Sequence, residues 1–233
     1  MFKNLKRLCL GFAVCSTLFA NTVLANTGWF QFDLNNSKSW YYFTNGILLM
    51  NRLTPDGYFV GHDGKIVENN INSEKYSAES AGTKILVFSK SAHRVELWNN
   101  GTLEVSYPAA SGKVQGDKEL DGDCKTPLGT FYICRKIPNS QYTRGLLINY
   151  PANEDAERGL ASGLIDYRTY LAIVSANNAG LVPPQNTVLG SEIEFHGNGQ
   201  TCDATRGCIG LKDADILDLY NRVPQGCRVD IIA

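Results

Sequence analysis

Apolar and polar positions change their period several times along this chain. Residues 8–20, LCLGFAVCSTLFA, form an apolar run behind Lys3, Lys6 and Arg7. Residues 28–67 instead carry short aromatic runs interrupted by Asn-Gly or Asp-Gly, as in WYYFTNGILL and GYFVGHDGKIV. Those dipeptides between apolar runs predict β-hairpins, which are too small to fold singly and bury their aromatics only when stacked. Residues 68–82, ENNINSEKYSAESAG, are polar with little periodicity and read as a linker.

From Lys84 the pattern is that of strands: KILVFSK, then RVELWNNGTLEVSYPA with a turn at NNG, then GTFYICRK. Residues 153–165 and 166–180 switch to helical spacing, with Asn153 and Asp166 as candidate N-caps. SEIEFHG returns to alternation and sets Ile193 and Phe195 on one face, Glu194 and His196 on the other. LKDADILDLYNRV is helical by the spacing of Ile216, Leu217 and Tyr220, PQG stops it, and CRVDII closes the chain as a strand. The expectation is a mostly β domain with inserted helices over residues 83–233, preceded by a small β-hairpin module at 26–67.

The first residues change the picture of where the protein works. A basic start, a short apolar run and the small residues Val23 and Ala25 have the form of an export signal over residues 1–25, cut after Ala25. The competing reading is a membrane anchor, for which the run is short. Loss of the signal takes three of the 22 Lys and Arg and none of the 23 Asp and Glu, so the net charge moves from −1 to about −4. That balance excludes bulk electrostatic attraction to nucleic acid or polyanionic wall polymer. Five cysteines remain: Cys124, Cys134, Cys202, Cys208 and Cys227. An odd number in an exported chain points to one thiol with its own chemistry beside up to two disulfides.

The hairpin units resemble the cell-wall-binding repeats of exported bacterial surface proteins, in which Gly-Trp opens a unit, followed by WYY and an NG or DG turn. The resemblance implies a wall glycan or choline as partner, gripped through Trp29, Trp40, Tyr41, Tyr42 and Tyr58, since aromatic faces attract quaternary ammonium and stack on sugars. The alternative is that these rings are simply the module's core.

The chemistry concentrates in EFHGNGQTCDATRGCIGL, residues 194–211. A cysteine becomes a useful nucleophile when its thiolate is favoured and a base shuttles the proton. Cys208 precedes a predicted helix whose dipole would lower its pKa. Gly207 lets backbone amides face a developing oxyanion. His196 supplies a base, with Gly197 leaving room for its ring to be oriented. Two rivals remain open on the residues alone. One is a zinc site drawn from His196, Cys202, Cys208 and Cys227, which lacks a paired C-x-x-C knuckle. The other is a Cys202–Cys208 disulfide.

This stretch is similar to the catalytic motif of the L,D-transpeptidases, which cross-link peptidoglycan stems. The carrying residues are His196-Gly197 and Thr205-Arg206-Gly207-Cys208-Ile209, with Asp121, Gly122, Thr126, Pro127, Gly129 and Phe131 of DGDCKTPLGTFYICRK. NYPANEDAERGLASGLI and PPQNTVLGSEIEFHGNG match one branch, and the likeness covers roughly residues 84–233. It implies a β-sandwich catalytic domain with Cys208 as nucleophile, His196 as base, Gly197 and Gly207 shaping the site, and Thr205, Arg206 and Thr126 at the substrate. It implies peptidoglycan stem peptides as partners and neither metal nor organic cofactor. Arg206 stands where many members have His, and Gly210 where many have Arg. In the family the loops carrying Cys124 and Cys202 border the active site, so a Cys124–Cys202 bridge is expected, with Cys134 at the end of one strand and Cys227 at the start of the last meeting across the sheet; the alternative is that all four stay reduced as small apolar side chains.

Overall fold

The computed structural model describes residues 27–34, 37–199 and 202–233. The expected export signal lies outside the described residues. The chain divides into two compact units between Glu68 and Asn69.

In the first unit β1 (Gly28–Leu34), β2 (Ser37–Thr44) and β3 (Ile47–Leu48) form an antiparallel sheet in that order, and β4 (Arg52–Leu53) pairs with β5 (Phe59–Val60). Asn45 and Gly46, both at positive φ, make the tight turn between β2 and β3, the geometry that Asn-Gly favours. Much of the aromatic surface is spent internally. The Trp29 indole donates to Asp56 at 2.8 Å, and its ring meets Tyr42 and Tyr58 at 5.2 and 5.7 Å between centroids, edge to face. Tyr41 is buried and packs on Phe32. Of the rings nominated for a ligand, these four form the packing of the module, and Trp40 is half-buried.

The second unit is built on β6 (Lys84–Ser89), β7 (Arg94–Asn99), β8 (Thr102–Pro108), β9 (Gly129–Ser140), β10 (Thr143–Ile148), β11 (Glu194–His196), β12 (Ile209–Gly210) and β13 (Arg228–Ile232). They form one eight-stranded sheet in the order β12-β11-β10-β9-β13-β6-β7-β8. The chain leaving β8 then pairs Ala110 with Gly210 of β12. The two edges of the sheet therefore meet, and the sheet curls on itself. The sandwich expected from the resemblance is thus one curled sheet, and its closure hides edge strands that would otherwise invite pairing. Leu86, Phe88, Leu97, Ile133, Leu146, Phe195, Ile209 and Val229 fill the core, joined by Ile216 and Leu219 of a helix at Asp213–Arg222.

Three expectations need correcting. The stretch read as a linker holds α1 (Ser73–Glu79), whose Tyr76 is 1% exposed and packs with Ile71, Ile85, Val87 and Trp98. Two apolar anchors among polar residues are too few to show a period. Tyr76→Ala is expected to cost about 3 kcal/mol or more, as for other large core truncations. An unchanged denaturation midpoint in urea would restore the linker reading. Second, Asn153 is the first residue of α2 (Asn153–Ala161) rather than its cap. Asp155 receives the Ala152 N–H there at 2.8 Å, while Asp166 does cap α3 (Tyr167–Asn178), taking the Thr169 N–H. Third, all five described cysteines are free thiols. Cys134 turns its sulfur to Leu147 O on β10, whereas Cys227 turns its own to Lys84 O on β6, so the two point to different strands.

Candidate active site

β11 and β12 run parallel, with Phe195 opposite Ile209 and His196 opposite Gly210. By strand alternation the core face takes Phe195 and Ile209, and the other face takes Glu194, His196 and Cys208. The ladder thus places the expected nucleophile and base as diagonal neighbours on one face. The helix Asp213–Arg222, α4, follows the ladder rather than the cysteine directly.

His196 is buried. Its Nδ1 lies 2.6 Å from Gly197 O. A carbonyl only accepts, so Nδ1 carries the proton and Nε2 is left as the basic nitrogen. Tyr142 covers the ring at 4.6 Å and 31°. Burial pushes the imidazole pKa down, and the Gly197 carbonyl offsets this only in part. Gly197 is held by its N–H to Tyr142 O at 2.8 Å. Any Cβ there would stand 2.7 Å from the same carbonyl, so a larger residue would unseat the histidine's support. Asp213, at the start of α4, takes Asn198 N–H and the Thr143 hydroxyl, both at 2.7 Å, which fixes the chain leaving His196.

Cys208 is half-buried, but its sulfur is crowded by protein. It donates to Glu192 O at 3.2 Å and receives the Glu194 N–H. Burial pushes the thiol pKa up to about 11, with Glu194 and Glu192 adding to the rise and Lys118 opposing it. The expected depression by a helix dipole is absent because β12 separates Cys208 from α4. Among the described residues no hydrogen bond joins His196 to the sulfur, and burial favours the neutral form of both the thiol and the imidazole.

The loop that presents Cys208 is pinned at each step. Asp203 accepts Ser111 N–H at 2.7 Å and His93 Nε2–H at 2.9 Å. Thr205 Oγ1 donates to Cys208 O at 2.6 Å and accepts Gly207 N–H at 3.2 Å. Its hydroxyl is thereby committed to the turn, not displayed to a substrate. Gly207 has φ +135°, and a Cβ there would stand 2.7 Å from Lys125 O and 2.9 Å from Ile193 Cδ1. Both the dihedral and the space demand glycine. Arg206 is exposed, and among the described residues no carboxylate pairs with it.

Thr126, expected at the substrate, is fully buried; its hydroxyl accepts Gly112 N–H at 2.8 Å. It positions the neighbouring loop instead. In that loop Asp123 is the hub, taking Glu119, Leu120 and Lys125 N–H groups and the Lys118 ammonium. Burial pushes its carboxyl up, but these donors outweigh it and hold the pKa at about 2. Buried Lys90 ties Thr126 O and Gly116 O to β6. Among the described residues no three His, Cys, Asp or Glu side chains come together as a metal site. Nor does any described helix have the length and apolarity to cross a membrane.

Sequence reasoning did not nominate Tyr142 or Glu194. Alternation had already put Glu194 on the His196 face, and that parity was the available signal. Tyr142 reaches the imidazole from the turn between β9 and β10, and its position depends on a strand whose short apolar run, LLI, shows no period.

Comparison with known proteins adds a family. Residues 83–231 match the model of YkuD, the L,D-transpeptidase catalytic domain. No curated protein matches the chain. Among solved structures it is similar to the helical cell shape determining protein Pgp2 from Campylobacter jejuni, at 20% identity and TM-score 0.43, covering 70% of this chain and 56% of that one. It is similar to Bd1075 of Bdellovibrio bacteriovorus at 20% identity and TM-score 0.42, covering 64% and 47%. An L,D-transpeptidase from Mycobacterium smegmatis matches at 20% identity and TM-score 0.36, covering 64% and 58%. The chain spans about half the length of these solved chains.

Proposed function

The chain belongs, through residues 83–231, to the YkuD family of L,D-transpeptidase catalytic domains, and from that premise we propose that it is an exported peptidoglycan L,D-transpeptidase with Cys208 as nucleophile. The observation that carries the reading is the placement of Cys208 and His196 on one face of the β11–β12 ladder, with His196 Nε2 left basic by the Nδ1–Gly197 contact.

The reaction is acyl transfer in two steps. His196 Nε2 takes the thiol proton as the sulfur attacks the carbonyl between the third and fourth residues of a tetrapeptide stem. A carbon–sulfur bond forms, the peptide carbon–nitrogen bond breaks, and the imidazolium returns the proton to the departing D-alanine amine. An amine of a second stem then attacks the thioester, loses its proton to His196, and the thiol is regenerated. The neutral resting pair suits this order, since ionisation accompanies attack. Among the described residues the Cys208 N–H has no hydrogen-bond partner, which supports its use as an oxyanion donor. Exposed Arg206 is the group available to meet a substrate carboxylate.

Muropeptide mass spectrometry tests the reading. Purified mature protein incubated with tetrapeptide-bearing peptidoglycan is expected to give cross-links between third residues. Tripeptides without cross-links would make water the acceptor and the protein an L,D-carboxypeptidase or endopeptidase. No change in the muropeptides would leave an inactive wall-binding protein. We further propose that residues 28–67 contribute wall affinity. A chain beginning near Ser80 would lose α1, so a chain beginning at Asn69 is the proper comparison. It is expected to keep chemistry on soluble stem fragments and to bind sacculi several-fold more weakly. Equal binding by both would make the hairpins a spacer.

A further inference from the structure

The face of β11 that carries His196 carries a second titratable group that the reaction above does not use. Glu194 precedes His196 by two residues, so both side chains leave the same face. Gly145 of β10 is the cross-strand partner of His196. It has no side chain, and Glu194 Oε2 occupies the vacated place so closely that a Cβ at Gly145 would overlap it. That oxygen is buried and finds no hydrogen-bond partner among the described residues. On its other side Glu194 neighbours Cys208, one step back along the parallel ladder from the Phe195–Ile209 pair, and its N–H donates to the sulfur.

The charges around the sulfur are of one prevailing sign. Glu194 and Glu192 oppose a negative charge there, and Lys118 favours it. Lys118 is already committed to Asp123 and Leu120 O, at 2.8 and 2.9 Å. His196 is the other titratable group on this face, with Tyr142 stacked on it. From β10, Leu147 and Gly145 bring no charge, and Arg144 is turned onto the Tyr220 ring.

Resting on the assignment of Cys208 and His196 as the reacting pair, we propose that Glu194 is a positioning residue: its carboxylate, seated over Gly145 on the face that carries Cys208, adds to the burial that keeps the thiol protonated in the resting enzyme, and this added restraint lifts when Glu194 takes up a proton. Burial pushes the Glu194 carboxyl up to about 7, and Glu192 adds to the rise, so the restraint changes across the neutral range. Above that range the carboxylate is charged and opposes a second negative charge on sulfur. Below it the carboxyl is neutral, and ionisation of the thiol meets one fewer like charge. Thiolate formation should therefore climb less steeply with pH than for an isolated thiol, because each step upward also charges Glu194.

The test is the rate of Cys208 alkylation by iodoacetamide against pH, in the full chain, with the modified cysteine located by peptide mass mapping. Wild-type protein is expected to show a flattened rise between about pH 6 and 8. In Glu194→Gln the flattening should disappear, and the rate at about pH 8 should increase roughly three- to tenfold, the lower nucleophilicity of a more acidic thiol offsetting part of the gain. The two rates should converge at lower pH. Gly145→Ala, which would push the carboxyl off its seat, should move the profile in the same direction as Glu194→Gln. Superimposable profiles for wild type and Glu194→Gln, or a slower Gln variant, would overturn the proposal. If Gly145→Ala does not fold, the Gln profile alone decides. Alkylation needs no peptide substrate, so a chain that alkylates as described but makes no cross-links would refute the proposed function and leave Glu194's role standing.

Discussion

Cys208→Ala is expected to abolish D-alanine release and cross-link formation while leaving the protein folded. The thiol is the one protein group that bonds to the acyl carbon in the proposed reaction, so its loss removes the first step. Its removal should cost the fold little. The sulfur donates to Glu192 O and receives the Glu194 N–H, both weak sulfur contacts, and the residue is half-buried. The constraints on its loop come instead from Asp203, Thr205 and Gly207, all of which the substitution leaves in place. Activity is read on purified stem tetrapeptides, and folding by circular dichroism and thermal midpoint. Turnover by the alanine variant would remove Cys208 from the mechanism.

His196→Ala should lower turnover by roughly 10²–10⁴-fold, the usual loss when a positioned acid–base group is removed. The effect should be large here because the thiol is held protonated, near 11. Without an acceptor at Nε2 the thiol loses the base that takes its proton in the proposed reaction. Raising the pH should recover part of the lost rate in His196→Ala by ionising the thiol directly, and much less in wild type. A loss of only a few-fold, with no steeper pH dependence, would move the base away from His196.

Much of this site was legible before the structure. The alternation of SEIEFHG put His196 and Glu194 on one face, and the ladder confirms it. Gly207 was read as a backbone requirement, and the space beside Lys125 O shows why. What the sequence hid has a common cause: it depends on contacts between distant segments. Thr126 looked like a substrate residue because it lies in a motif, yet its hydroxyl serves Gly112, fourteen residues earlier. The dipole argument for Cys208 failed because a two-residue strand, Ile209–Gly210, intervenes before the helix; a strand that short leaves no period to read. The burial of α1 was masked by the polar residues around Tyr76. The curl of the sheet closes where Ala110 bridges Gly210 and Gly112 bridges Thr205, contacts between segments far apart in the chain that have no local signature.

The central claim is that Cys208 carries the acyl group. Intact-protein mass spectrometry after brief incubation with a stem tetrapeptide, quenched in acid to preserve thioesters, tests it most directly. A mass increase equal to the tripeptide acyl group is predicted, mapped to Cys208, discharged by hydroxylamine and missing in Cys208→Ala. Cross-linked product formed without any such adduct, or an adduct mapped to another residue, would contradict it.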